Sequence, residues 1–353
     1  MRRVALILTA SLLATAVVVA QAPPAAAAQR TIATGTGDGA AHRVRSFDSN
    51  GALVSDSSST GTGSPPRGVR VAVGDVDGDG NEEVITAGGP GGPSSVTVFP
   101  GTASFPFASF SPYGDFTGGV NIAAGDVDGD GRDEIVTAAD SGGGPHVRVW
   151  DVDGQTQIRE KLGWFAYNPG FTGGVSVAVA QLVGSNRAEV VTGAGPGGGP
   201  HVRIFDVSGG SARDAGGWFA YAPGFNGGVN VAAGSLDGAA TVVTGAGVGG
   251  GPHVRAFTPA GAERTGLFAY APGFGGGVNV AVGDADNDGR GEIVTAPASG
   301  GGPHVRTFEG DGAASKPEFF AYEPNMTAGV HVALFRTAGS QNSGSSSNTG
   351  GNP

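Results

Sequence analysis

Short apolar segments rich in Val and Ile recur along this chain, each bounded by glycine clusters, and helix-forming runs are scarce. Such segments between turn formers predict an all-β protein with tight turns. Two strings repeat in register. Gly-Gly-Pro-His-Val-Arg occurs at 143–148, 198–203, 250–255 and 301–306, with weaker copies at 40–45 and 92–97. Gly-Val-x-Val-Ala starts at Gly68, Gly119, Gly174, Gly228, Gly277 and Gly329, in steps of 49 to 55 residues. Both markers give six units. In the second full copy the strands fall at Val120–Gly125, Glu134–Ala138, His146–Asp151 and roughly Gln157–Phe165.

Four short antiparallel strands per unit of about 50 residues describe a propeller blade. A solenoid is the alternative for any repeat, and the chain ends decide between them. Thr31–Thr34 matches strand 2 and Arg43–Phe47 matches strand 3, so the chain enters mid-unit. Phe319–Tyr322 and Gly329–Leu334 match the passage from strand 4 to strand 1, after which no further strand pattern follows. The two fragments complete each other. The expectation is a six-bladed β-propeller whose last strand pairs with the first, leaving no open sheet edge in the ring.

Three units carry an acidic loop between strands 1 and 2. They read DVDGDGNEE at 75–83, DVDGDGRDE at 126–134 and DADNDGRGE at 284–292. Carboxylates at positions 1, 3, 5 and 9 are Asp75, Asp77, Asp79 and Glu83; Asp126, Asp128, Asp130 and Glu134; and Asp284, Asp286, Asp288 and Glu292. Four acids in one small loop repel one another unless a cation compensates. An all-oxygen ligand set suits calcium. The position-7 carbonyls of Asn81, Arg132 and Arg290 are further candidate ligands. The third unit has Gln181, Val183 and Ser185 for the first three acids and keeps Glu189, and the fourth shortens the loop to Ser235–Gly238. Three calcium sites are therefore expected rather than six.

These loops, the Val-Ala-x-Gly before them and the Glu-Ile-Val-Thr after them resemble the FG-GAP/VCBS repeat of the integrin α-subunit propeller and of exported bacterial proteins. The resemblance covers about residues 31–336. It implies the fold, calcium, an extracytoplasmic place and contact with carbohydrate or matrix. Integrin propellers have seven blades and an added ligand-capturing domain, so integrin-like recognition does not carry over.

Composition and charge narrow the rest. Glycine fills 68 of 353 positions without a Gly-X-Y period, which excludes collagen. The absence of cysteine excludes disulfides, thiolate zinc sites and cysteine nucleophiles. A net charge of −11 argues against nucleic acid. Arg2 and Arg3, the apolar run Val4–Ala20 and Ala26–Ala28 read as a signal peptide over 1–28, with cleavage after Ala20 as the other position. No membrane span is then expected in the mature chain. Residues 29–337 form the propeller, and the Gly/Ser/Asn-rich tail 338–353 reads as disordered.

The face opposite the acidic loops collects His146, His201, His253 and His304, with Tyr167, Tyr221 and Tyr270 in Tyr-x-Pro-Gly-Phe turns. They are the candidate ligand-binding residues, weighed against a repeated structural role in which each imidazole bonds a neighbouring turn. Trp164, Phe165, Tyr167, Trp218, Phe219 and Tyr221 are read as inter-blade core, weighed against platforms for sugar rings. The expected protein is a secreted, monomeric, non-catalytic binding module for a carbohydrate or extracellular protein. A polysaccharide lyase or hydrolase and a structural surface protein are the alternatives, and a unique acid or base in the central channel would favour the enzyme.

Overall fold

The computed structural model describes residues 30–57, 67–101, 105–153, 157–184 and 186–336. The expected signal peptide and tail lie outside the described residues. The chain enters on β1 (Arg30–Thr36), β2 (Val44–Asp48) and β3 (Leu53–Ser57). Five complete blades follow. They are β4 (Val69–Gly74), β5 (Glu83–Gly88), β6 (Val96–Phe99) and β7 (Ala108–Phe110), then β8 (Val120–Gly125), β9 (Glu134–Ala139), β10 (His146–Asp153) and β11 (Gln157–Phe165). Next come β12 (Val175–Ala180), β13 (Glu189–Ala194), β14 (His201–Asp206) and β15 (Arg213–Phe219). After them stand β16 (Val229–Leu236), β17 (Ala239–Ala246), β18 (His253–Phe257) and β19 (Glu263–Phe268). The last full blade is β20 (Val278–Gly283), β21 (Glu292–Pro297), β22 (His304–Phe308) and β23 (Ala314–Phe320). Finally β24 (Val330–Leu334) pairs antiparallel with β1, from Ile32↔Leu334 to Thr36↔Val330. The result is six four-stranded antiparallel sheets in a closed propeller, as the half-units at the chain ends require.

The core lies between blades, not within them. One cluster joins Val136, Val147 and Val149 of one blade to Val175, Val177 and Val190 of the next. Inner strands such as β9, β13 and β21 are buried at every residue, whereas the outer strands β11 and β15 alternate with exposed positions. A fully buried Val or Ile contributes roughly 1.5–3 kcal/mol, so each interface is held mainly by these β-branched residues.

The glycine that opens each innermost strand has φ between 73° and 97° in all six blades. At Gly174 a Cβ would lie 2.6 Å from the carbonyl carbon of Asp140 in the preceding blade. Both the left-handed backbone and the close approach demand glycine there. The shortened loop of the fourth full blade is a two-residue hairpin, Asp237–Gly238, with φ of 51° and 74°. Positive φ at both residues is the signature of a type I′ turn.

All five tyrosines of the chain make one repeated contact. The hydroxyls of Tyr113, Tyr167, Tyr221 and Tyr270 donate to the backbone carbonyls of His146, His201, His253 and His304 in the next blade, at 2.8–2.9 Å. Tyr322 reaches the carbonyls of Arg43 and Thr34, both at 3.0 Å, across the closing interface. In return Arg148, Arg203, Arg255, Arg306 and Arg45 donate Nη1 to the carbonyls of Pro112, Ala166, Ala220, Ala269 and Ala321, each just before the tyrosine.

Deleting residues 329–353 removes β24 and with it the closing sheet's inner edge; it should abolish the cooperative thermal transition. Deleting 338–353 should leave the melting temperature unchanged. Calorimetric scans of the two truncations check this, and equal melting would refute closure through β24. Tyr221→Phe leaves the carbonyl of His253 without its donor and should destabilise the fold by about 1–3 kcal/mol, read from denaturant titration.

Candidate metal centres and the opposite face

The three acidic loops share one geometry built from their own backbone. The position-1 aspartate accepts from positions 4 and 6: Asp75 from Gly78 N (2.9 Å) and Gly80 N (3.0 Å), Asp126 from Gly129 N and Gly131 N, Asp284 from Asn287 N and Gly289 N, with Asp288 N as a third donor to Asp284. Position 3 accepts from the N–H of position 5 at 3.1 Å in all three loops. Position 5 accepts from that of position 7 at 2.7–2.9 Å. The closing glutamates Glu83, Glu134 and Glu292 stand at the first residue of strand 2, buried, and each accepts the N–H of position 2 through Oε2 at 2.7–3.0 Å. Glu189 does the same to Leu182 N at 2.8 Å in the blade that has lost the other acids. The closing glutamate is therefore also a structural strut for the loop.

What remains on each loop is a set of hard oxygens. Carboxylate oxygens of Asp284, Asp286, Asp288 and Glu292 all lie within 4.8 Å of one another, as do those of Asp75, Asp77 and Glu83, and of Asp126, Asp128 and Glu134. In the first two loops position 5 is held by its neighbour at position 7: Asp79 accepts from Asn81 Nδ2 (3.1 Å) and Asp130 from Arg132 Nη2 (2.9 Å). Oε1 of Glu292 is buried and has no hydrogen-bond partner. A buried carboxylate oxygen left without a donor is unfavourable unless a cation meets it. Burial first, and then repulsion from the aspartates, pushes Glu83 and Glu292 up to about 8. Burial raises Glu134 to about 7, and Lys161 pulls against it.

Lys161 on β11 distinguishes the second loop. Its ammonium bonds Asp128 Oδ2 and, at 3.0 Å, Glu134 Oε1. It meets the oxygens that converge in that loop, as an intramolecular cation.

The opposite face holds the repeated histidines. Each imidazole sits over a phenylalanine and also meets the tyrosine of the neighbouring turn, with ring centroids 5.4–6.3 Å apart. His146, His201, His253 and His304 are cross-strand partners of Phe165, Phe219, Phe268 and Phe320, with ring centroids 4.8–5.1 Å apart. Those phenylalanines are 51%, 55%, 55% and 53% exposed, so the expectation that Phe165 and Phe219 belong to the core is corrected. Trp164 and Trp218, one residue earlier on the other side of the strand, do pack into it. Tyr167, Tyr221 and Tyr270 have their hydroxyls committed to the inter-blade clasp.

The central channel carries a feature the repeat did not announce. The third residue of each Gly-Val-x-Val-Ala string lines its mouth: Arg70, Asn121, Ser176, Asn230, Asn279 and His331, around a cavity of about 340 Å³. Asn121, Asn230 and Asn279 donate to the carbonyls of Val175, Val278 and Val330 in the next blade at 2.8–2.9 Å. Arg70 instead pairs with Asp38 and Asp140. Burial, with the nearby Arg70 guanidinium, lowers His331 to about 3.

A model of the FG-GAP-like repeat matches residues 75–137, and a model of the FG-GAP repeat matches 118–157. The chain carries FG-GAP repeats. The matches contain the first two acidic loops; the loop at 284–292 stands on its geometry. No curated protein is detectably similar to this chain in sequence. Among solved structures, a protein from Lactobacillus plantarum is similar at 9% identity, with 82% of each chain covered and a TM-score of 0.52. An Agrocybe aegerita lectin described as recognising non-reducing terminal N-acetylglucosamine is similar at 14% identity, covering 88% of this chain and 96% of the lectin, with a TM-score of 0.48. The exotype rhamnogalacturonan lyase YesX is similar at 16% identity, covering 78% and 57%, with a TM-score of 0.43. At these identities the likeness is one of fold.

In the metal-free chain, Glu83 and Glu292 hold protons up to about pH 8 when folded, whereas unfolded glutamate releases them near 4.3. The native state then binds more protons across that window, so stability falls as pH rises from about 5 to 8. A cation favours the charged carboxylates and should flatten the slope. Melting curves across this range, with chelator and with metal, check the sign.

Proposed function

We propose that this FG-GAP propeller is an exported, calcium-binding, non-catalytic module that binds an extracellular ligand, carbohydrate before protein. The observation that carries the metal is the buried, unpartnered Oε1 of Glu292 beside three aspartates. The donors are all carboxylate oxygens, which suit a hard cation of flexible coordination, and calcium takes six to eight such ligands. Asp284, Asp286, Asp288 and Glu292 would hold one ion, and the loops at 75–83 and 126–134 one each. The carbonyls of Asn81, Arg132 and Arg290 supply further candidate ligands. Export rests on Arg2, Arg3 and the apolar run that follows.

A lyase or hydrolase is the second reading, favoured by a non-repeated charged cluster at one mouth of the channel, Arg70 with Asp38, Asp140 and His331. The chemistry of that cluster speaks for binding. A histidine lowered to about 3 is a weak base at neutral pH. Both carboxylates beside it are engaged by Arg70.

Extracellular calcium modules bind with Kd of roughly 10⁻⁴ to 10⁻³ M. At about 1 mM calcium each filled site then adds about 0.4–1.4 kcal/mol of stability. Titration calorimetry should give three ions per chain for the wild type and two for Glu292→Gln, which keeps the bond to Ala285 N. A stoichiometry near zero, or one unchanged by the substitution, would refute the metal assignment. Lys161→Met removes the internal competitor and should tighten one site several-fold while leaving the stoichiometry at three.

A further inference from the structure

We propose that the four His–Phe ledges on the face opposite the acidic loops are related subsites for pyranose rings, and that together they hold a repeating neutral polysaccharide. This rests on the reading of the protein as a binding module and names its ligand-binding surface.

Histidine and phenylalanine come and go together across the blades. Four blades have both, as direct cross-strand partners. In the blade of β4–β7 the register Val96↔Phe110 places Ser95 at the histidine position and Ser111 at the phenylalanine position, and that blade has neither ring. The inter-blade core does not need these phenylalanines: the adjacent Trp164, Trp218, Leu267 and Phe319 fill it from the other side of the strand. Half-exposed aromatic rings kept in four places, outside the core, are available for contact.

Each ledge joins an apolar plane to polar groups. Imidazole packs against each ring, and about half of each phenylalanine is exposed. Arg148–Glu160, Arg203–Asp214, Arg255–Glu263 and Arg306–Glu318 stand beside the four rings as ion pairs. At Gly163 a Cβ would lie 3.0 Å from both His146 Nε2 and Glu160 Oε1, so the missing side chain keeps a notch open between an imidazole and a carboxylate. Gly266 does the same beside His253 and Glu263. In the fourth ledge Glu318 stands at that position and itself bonds His304 Nε2 at 2.9 Å. Burial, then the neighbouring arginine, holds His146, His201 and His253 below the usual imidazole range. They are neutral at neutral pH and offer one donor and one acceptor each.

A pyranose matches this arrangement. Its C–H face packs on the electron-rich face of an aromatic ring, and its hydroxyls donate to carboxylate and bond imidazole. A protein partner would want a contiguous apolar centre, whereas here each ring is separate and flanked by charge. One ring binds weakly. Four on a rigid scaffold engage a repeating polymer together, and such linkage raises apparent affinity by roughly 10²–10⁴.

The test is affinity electrophoresis of the calcium-saturated full chain in gels containing soluble β-glucan, galactomannan or arabinoxylan. At least one should retard the wild type, with an apparent affinity about 100-fold above that of its monosaccharide. Phe165→Ala should weaken retardation several-fold. Combined replacement of Phe165, Phe219, Phe268 and Phe320 by alanine should abolish it, with melting temperature and calcium stoichiometry unchanged. Wild-type retardation by the quadruple variant, no retardation of the wild type by any of the three polymers, or equal affinity for monomer and polymer would overturn the proposal. Calcium calorimetry on the same samples reads the metal assignment separately, so the two can fail independently.

Discussion

The packing of one blade on the next is the constraint on which the rest depends. A four-stranded sheet of this kind has two apolar faces, and a blade alone would leave both in water. Each interface therefore joins valines and isoleucines from two blades. Neighbouring blades are then tied by a reciprocal polar clasp, a tyrosine hydroxyl reaching forward to a backbone carbonyl and an arginine reaching back. Because these groups are half-buried or buried, each bond stands where an unmet donor or acceptor would be unfavourable. The ring must close for the last face to be covered, and β24 on β1 closes it by putting the first and last described strands in one sheet.

With the ring closed, its two faces have different chemistry. The acidic loops project from strands 1 and 2 on one side, where a tight glycine-containing turn points several carboxylates at one spot. The closing glutamate is the hinge between loop and core. Its presence in the blade of β12–β15, where the aspartates are lost, separates its two roles: one oxygen caps the loop in every case, and only in the three acidic loops does it also join converging aspartate carboxylates. Lys161 gives the second loop a different electrostatic balance from the third, although the two share their acids at positions 1, 3, 5 and 9.

Repetition itself helps sort roles. Tyrosine hydroxyls and arginine side chains recur because every interface needs them. The asparagines of the channel recur because adjacent inner strands need stapling. Arg70, His331 and Lys161 break the repeat, and each sits in a local environment shared with no other blade.

Much of this was legible in the sequence. Period, blade count, the closing half-units and the three acidic loops follow from residue spacing alone, because local turn chemistry and strand alternation act within one unit. Three features came only with the tertiary structure. Trp164 and Phe165 are both large aromatics, and strand alternation says they face opposite ways; only the neighbouring blade decides which is core and which is ledge. The tyrosine clasp ends on a backbone carbonyl, which has no signature in the side-chain sequence. Lys161 meets Glu134 across 27 residues, and Arg70 meets Asp140 across 70. Contacts of that kind depend on how blades and strands are brought together, and burial between them, not spacing along the chain, is what sets their strength.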